Sequence, residues 1–257
     1  MIEKKLQDIK VLEFELLSSC SGISHFITTR NGSLPDDAYS SMNLCDYTGD
    51  NPAHVAYCRQ QMASVLSIEP TQFVFPHQVH GTSVGLVDSS DFQGDYDALI
   101  TDRPGICIGV STADCVPILL YSPKMRVVAA VHAGWRGTVQ RIASKTVSVM
   151  SSHYGCLPDE ILACIGPSIG PDAFEVGEEV ADSFRRAGFS DVCQPRAHAN
   201  PHVDLWQANL QDLTSCGVVS EHIQIAGICT YANPDYLFSA RKLGIRSGRI
   251  ASAIMLR

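Results

Sequence analysis

The chain has 257 residues, 45% of them hydrophobic and 18% charged, with a net charge of −8. That length supports a buried core without staples, and the absence of any basic tract excludes binding along a nucleic-acid backbone, though not binding of a small nucleoside. No apolar window approaches 18 residues, and charges interrupt the N-terminal "MIEKKLQDIKVLEFELLSSC", so neither a membrane span nor a signal peptide is expected.

Along the chain, "RNGSLPDDAYSSMN" (30–43) is polar and turn-rich and reads as a loop. Apolar runs then recur: "FVF" up to Pro76, "ICIGV", "PILLY", "RVVAAVH" ending at His132, "ILACIG" ending at Gly166, and "IQIAGICTY" near the C-terminus. Continuous apolar runs of this length are strands covered on both faces. After "AGWRG", Val139, Ile142, Ala143, Thr146, Val147 and Met150 recur at helical spacing, which predicts one amphipathic helix over 138–152. "GEEVADSFRRAG" has acids in its first turn, arginines late and Gly188 at its stop. "DLWQANLQDLTSCG" begins at an N-cap candidate, Asp204, and ends at Gly217. Strands and helices alternate without a steady βαβ rhythm, and no repeat or linker interrupts them. An α+β or α/β single domain over 1–257, with mixed sheets, is expected.

Ten cysteines lie scattered through the chain without a C-x-x-C pair, and several sit inside apolar runs. Buried reduced thiols of a cytoplasmic protein fit this pattern better than disulfides. No heptad or exposed apolar helix marks an oligomer interface, so the oligomeric state is left open.

Three places carry groups suited to chemistry. "FPHQVHGT" sets His77 and His80 after a strand and before Gly81, "STADCVP" sets Cys115 between two strands, and "VVAAVHAGWRGT" ends a strand at His132. Ends of strands are where such folds place their sites. On an extended segment His77 and His80 point to opposite faces, and Gly81 favours His80, because a glycine lets other groups approach closely. Two imidazoles and one thiolate suit Zn²⁺, and three ligands with an open fourth position is the pattern of a catalytic zinc. The same groups also suit a Cys–His nucleophile pair, and sequence spacing does not choose between the two. The bland alternatives are a packed core thiol and satisfied structural histidines. Asp114 adjoins the thiol and is expected to point away from it. Arg30 and Arg136 are candidates for anion recognition, since guanidinium has the forked geometry for phosphate.

Taken in order, "HQVHGT", "DYDALIT", "STADCVPILLY", "VHAGWRGT", "CIGPSIGPDAFEVGEEV", "VDLWQANLQ" and "CTYANPDYLFSARK" resemble the YfiH family, also called laccase-domain or polyphenol-oxidase-like. The resemblance runs from "HFITTRNG" to the C-terminus. It implies an α/β/β/α layering and a metal, usually zinc with copper as the alternative, on His80, Cys115 and His132. It also implies purine nucleoside chemistry: phosphorolysis of adenosine, inosine and methylthioadenosine, and deamination of adenosine. Many members read Asn where this chain has His77, so an added ligand is one expectation. The usual Arg-Arg-Asp-Gly run is replaced by "SARKLGIRSGR".

Under that reading a zinc-bound water, its pKa lowered to about 7, serves deamination, and positioning of phosphate serves phosphorolysis. Arg30 is expected to contact the anion or the ribose, with Asn43 as a polar partner. The alternatives are a cysteine hydrolase that cleaves an amide in a peptidoglycan precursor, a copper-dependent polyphenol oxidase, and a ligand sensor whose metal is closed off by His77.

Overall fold

A computed structural model describes residues 1–31, 38–39, 42–196 and 199–257, so most of the stretch read as a loop over 30–43 lies outside the described residues. The strands are β1 (Ile2–Leu6), β2 (Ile9–Glu13), β3 (Ile23–Thr28), β4 (Phe73–Val74), β5 (Val84–Leu86), β6 (Ala98–Thr101) and β7 (Cys107–Thr112). They continue as β8 (Val116–Ser122), β9 (Val127–Ala133), β10 (Leu162–Ile165), β11 (Cys193–Arg196), β12 (Ala199–Val203), β13 (Ile223–Ile225) and β14 (Ile250–Leu256). The helices are α1 (Glu15–Ser18), α2 (Pro52–Leu66), α3 (Trp135–Val139), α4 (Ile142–Tyr154), α5 (Glu178–Arg186), α6 (Leu205–Ser215) and α7 (Ala240–Leu243).

Two six-stranded sheets result, in the orders β1-β2-β3-β14-β7-β4 and β13-β10-β8-β9-β6-β5, with β11 and β12 as a separate ribbon. Both sheets are mixed: β4 runs parallel to β7, β5 to β6 and β10 to β13, while the long central pairs are antiparallel. The side-chain period of two explains the layering. In β14, Ile250, Ile254 and Leu256 face a core shared with Leu99, Leu119 and Val128 of the second sheet. Ala251, Ala253 and Met255 face the opposite way, onto Cys58, Met62 and Leu66 of α2. In β9, Val128 and Ala130 join the core between the sheets, whereas Val127, Ala129 and Val131 pack against Ile142, Val147 and Met150 of α4 and Phe184 of α5. The architecture is therefore α/β/β/α, a layered α+β fold. Each fully buried Val, Leu or Ile in these cores stabilises it by about 1.5–3 kcal/mol. All ten cysteines are free thiols.

The sequence expectation of one helix over 138–152 is corrected. Two helices, α3 and α4, meet at Gln140 and Arg141, and Arg141 adopts φ 66°. Its guanidinium stacks 3.7 Å over the Phe189 ring and donates to Ala187 O, so tertiary contacts hold it outside helical geometry. The strand expected in "IQIAGICTY" is confined to Ile223–Ile225, because Gly227 turns the chain at φ 64°. The other two helices start and stop close to the expected residues. Asp204 accepts from Gln207 N as the N-cap of α6, and Gly188 and Gly217 take left-handed conformations after α5 and α6. Among the described residues, no helix is long and apolar enough to cross a membrane.

Candidate metal centre

Strand register brings the chemistry together. In the β8–β9 pair, Val116 lies opposite Ala133, so Cys115, one step beyond, meets the chain at Gly134. In the β6–β9 pair, Ala98 lies opposite Val131, which sets Asp97 beside His132, and His132 N donates to Asp97 O over 2.7 Å. His80 arrives from a separate segment held by two clamps. On one side the Gln78 amide acts as a piece of strand, donating to Ser111 O at 2.8 Å and accepting from Ser111 N at 2.7 Å. On the other, the His80 and Gly81 N–H groups donate to the Asp97 carboxylate at 3.0 and 2.6 Å. Between the clamps His80 is held at φ 59°, in the left-handed region rather than on an extended segment. A non-glycine residue held there costs free energy, which the four hydrogen bonds offset.

His80, Cys115 and His132 converge, with one ligand atom from each lying within 4.8 Å of the others. His80 Nε2 is 4.0 Å from Cys115 Sγ, and the two imidazoles stand edge to face with centroids 4.8 Å apart. His132 is buried, Cys115 partly buried and His80 exposed, so the cluster opens to solvent on one side. Its floor is Gly134. A Cβ there would lie 3.2 Å from both Cys115 Sγ and His80 Cδ2.

Asp97 is the residue that the reading of the sequence missed. It is fully buried, and Oδ1 accepts from His132 Nδ1 at 2.8 Å. A carboxylate only accepts, so Nδ1 carries a proton and Nε2 is the nitrogen that remains for the cluster. Burial pushes the Asp97 pKa up, but the His132 hydrogen bond and the Gly81 and His80 donors outweigh this and hold it below the usual carboxylate value. Burial likewise pushes the Cys115 thiol up, but the His132 charge and hydrogen bonds from His132 and His80 outweigh it and bring the thiol to about 6. Burial pushes His132 down, but the Cys115 charge and the Asp97 hydrogen bond outweigh it and bring the imidazole to about 9. Without a metal, the buried Asp97 and His132 and the partly buried Cys115 form a carboxylate–imidazolium–thiolate line, and a bound metal would take the place of the His132 Nε2 proton.

The other candidates lie elsewhere. Among the described residues His77 is not part of the cluster: its Nδ1–H donates to Asp95 Oδ1 at 2.9 Å, and its ring meets Tyr47 edge to face at 5.9 Å. Arg30 is 1% exposed, donates to Pro234 O and lies 5.5 Å from the Phe238 ring. Asn43 is fully buried, where it bonds Cys45, Asp50 and Arg249 N. Neither joins the three converging ligands. Asp114, at φ 88°, accepts from Thr230 Oγ1 and Arg241 N, each at 2.7 Å. Arg136 is exposed on α3, its guanidinium 4.4 Å over the Trp135 ring.

The chain combines a layered α+β fold with a His/Cys/His cluster that could hold a metal, backed by a buried carboxylate. The chain belongs to the family described as multi-copper polyphenol oxidoreductase laccase, whose model matches residues 24–257, and its relatives include proteins named YfiH. A purine nucleoside phosphorylase from Bacteroides thetaiotaomicron is 41% identical over 97% of both chains. The adenosine deaminase RL5 from an unknown prokaryotic organism is 39% identical over 96% of this chain and 98% of its own. The crystal structure of the Bacillus licheniformis hypothetical protein YfiH superposes with a TM-score of 0.91 at 27% identity, covering 98% of each chain.

Proposed function

We propose that this chain is a zinc-dependent purine nucleoside phosphorylase acting on adenosine, inosine and methylthioadenosine, with adenosine deaminase activity at the same centre. The observation that carries this reading is the convergence of His80, Cys115 and His132 above Gly134, with Asp97 fixing the His132 tautomer. The names of the relatives support the purine substrate. The donor set fits zinc. Two imidazoles and a thiolate are borderline-soft, and the opening on the His80 side leaves room for a reactant. When bound, the ion supplies Lewis acidity and activates water for deamination.

The chain's own residues do the rest. Asp97 orients His132 and, through the His80 and Gly81 N–H groups, the loop that carries His80. Arg136, two residues beyond Gly134 and exposed, is the proposed partner of the phosphate, since its guanidinium has the forked geometry for that anion. Holding phosphate and nucleoside together is the larger part of the rate enhancement for phosphorolysis. Arg30 stays the proposed contact for the anion or the ribose, with Asn43 as its polar partner; both are buried, Arg30 on Pro234 O and Asn43 on Cys45. The core between the two sheets joins strands of both, which supports the reading of residues 1–257 as one domain.

Elemental analysis together with adenosine and inosine turnover, with and without phosphate, tests the proposal. About one zinc per chain is expected, with turnover lost on chelation and in His80→Ala, Cys115→Ala and His132→Ala while the fold survives. Full turnover by a metal-free Cys115→Ala protein would sink the assignment.

A second reading rests on the Asp97–His132–Cys115 line, which has the order of a nucleophile, its base and the group that orients the base. It describes a cysteine hydrolase acting on an amide, such as one in a peptidoglycan precursor. A metal-free protein whose Cys115 reacts rapidly with iodoacetamide would favour it. Copper is the alternative ion, since it binds such ligands more tightly than zinc. Among the described residues only one cluster of this kind is present, which counts against a multi-copper oxidase.

A further inference from the structure

A cavity of about 490 Å³, within the range of small-molecule sites, is lined in part by His77 and Ser111, on the segments that lead to the candidate metal centre. Its walls include Tyr47, Phe75 and Phe92, and its polar groups include His77, Asp95 and Ser111. The three converging ligands do not line it. It is linked to them through the clamp that holds His80: His77 is three residues from His80, a reach of at most about 11 Å, and Ser111 is the residue that the Gln78 amide grips.

The lining has a purpose-built character. Tyr47 is 44% exposed, a large aromatic side chain held at a cavity mouth, with the His77 ring perpendicular to it. His77 is fixed by more than its side-chain pair with Asp95. Its N–H donates to Gly94 O at 3.1 Å and its carbonyl accepts from Tyr96 N at 3.2 Å. A rigid imidazole beside a carboxylate, facing an aromatic wall, matches a flat heterocycle that stacks through its face and hydrogen-bonds through its edge. Given the purine activity proposed above, on which this inference rests, we infer that the cavity is the subsite for the purine base. The base stacks on Tyr47, its edge meets the His77–Asp95 pair, and the sugar is directed toward His80, Cys115 and His132.

Steady-state kinetics of adenosine and inosine with phosphate, together with titration of inosine by calorimetry, test this on the metal-loaded wild type, Tyr47→Ala and Asp95→Asn. Both positions are exposed, so folding and metal content are expected to be unchanged, and both are measured. Loss of one aromatic stack raises the KM and Kd of both nucleosides in Tyr47→Ala by about 5- to 150-fold, with kcat less affected. Asp95→Asn frees the His77 tautomer and shifts the adenosine-to-inosine ratio of kcat/KM. Wild-type turnover with an unchanged KM in Tyr47→Ala overturns the subsite and leaves the purine activity standing. A wild type that neither binds nor turns over purine nucleosides overturns both.

Discussion

The Nδ1 of His132 lies 2.8 Å from the Oδ1 of Asp97, and both side chains are shut away from water. The same carboxylate takes two backbone N–H groups from the loop that carries His80. One residue therefore bonds to one candidate ligand and to the loop that carries another, from different parts of the chain. Asp97→Asn keeps the shape but offers one accepting oxygen where two are used, and its amide faces N–H donors. Metal affinity is expected to fall by roughly 10- to 100-fold, as is usual when a ligand's orienting partner is lost. Competition against a chromophoric chelator checks this. Unaltered affinity would mean that the imidazole is held by packing alone.

Gly134 lies under the cluster for reasons of space. Its φ of −65° suits any residue, so Gly134→Ala adds no backbone strain. The added methyl would sit 3.2 Å from Cys115 Sγ and from His80 Cδ2, tighter than ordinary contact. Folding is expected to survive, with a shifted His80 and most of the bound metal lost. Zinc content and a melting curve on the same preparation separate the two effects. An alanine variant with full zinc and turnover would show that His80 can step aside.

Gln78 replaces a strand where no strand runs. Ser111 is 5% exposed, and its N–H and carbonyl are both paired with the Gln78 amide. Gln78→Ala leaves both unpaired, at a cost of about 1–3 kcal/mol for each group that stays dry. The clamp on His80 is lost with them. Denaturant unfolding is expected to show the lowered stability and zinc titration the weakened site. A loss of stability without weaker zinc binding would mean that Asp97 alone suffices to hold His80.

The strands were legible where both faces are buried. In β7, β8 and β9 each alternate residue meets a different core, so the runs read as continuous apolar sequence. Cys115 and His132 were legible as candidates because they sit at the ends of those runs, and His80 because it directly precedes Gly81. Asp97 was not. In "GDYDALIT" it reads as one more acid before a strand, although its place directly ahead of four buried residues was a signal. Only the β6–β9 register shows that it meets His132. The break at Arg141 was hidden for a similar reason. Arginine is a good helix former, and what holds it at φ 66° are Phe189 and Ala187, almost fifty residues away. His77 and His80 were separable only in part. Spacing put them on different faces, but the left-handed turn at His80 depends on Asp97 and Gln78.

Stability below neutral pH depends on a histidine remote from the metal centre. His25, 5% exposed on β3, accepts the Phe14 N–H at its Nε2 over 2.8 Å. That bond requires a lone pair, hence the neutral ring. Burial is the main cause that pushes the His25 pKa down, to about 4 from an ordinary value near 6.5. Between these values the unfolded chain binds a proton that the folded chain does not. The His25 contribution is therefore fully present above pH 6.5 and is lost as pH falls toward 4, by at most about 1.4 kcal/mol per pH unit. Below 4 both states are protonated and the loss levels off. His25→Gln retains an acceptor for Phe14 N–H but does not titrate. The difference in unfolding free energy between wild type and variant is expected to change in favour of the variant from pH 6.5 to 4. Urea melts at half-unit steps across that window measure it, and parallel curves for the two proteins would show that His25 is not the group responsible.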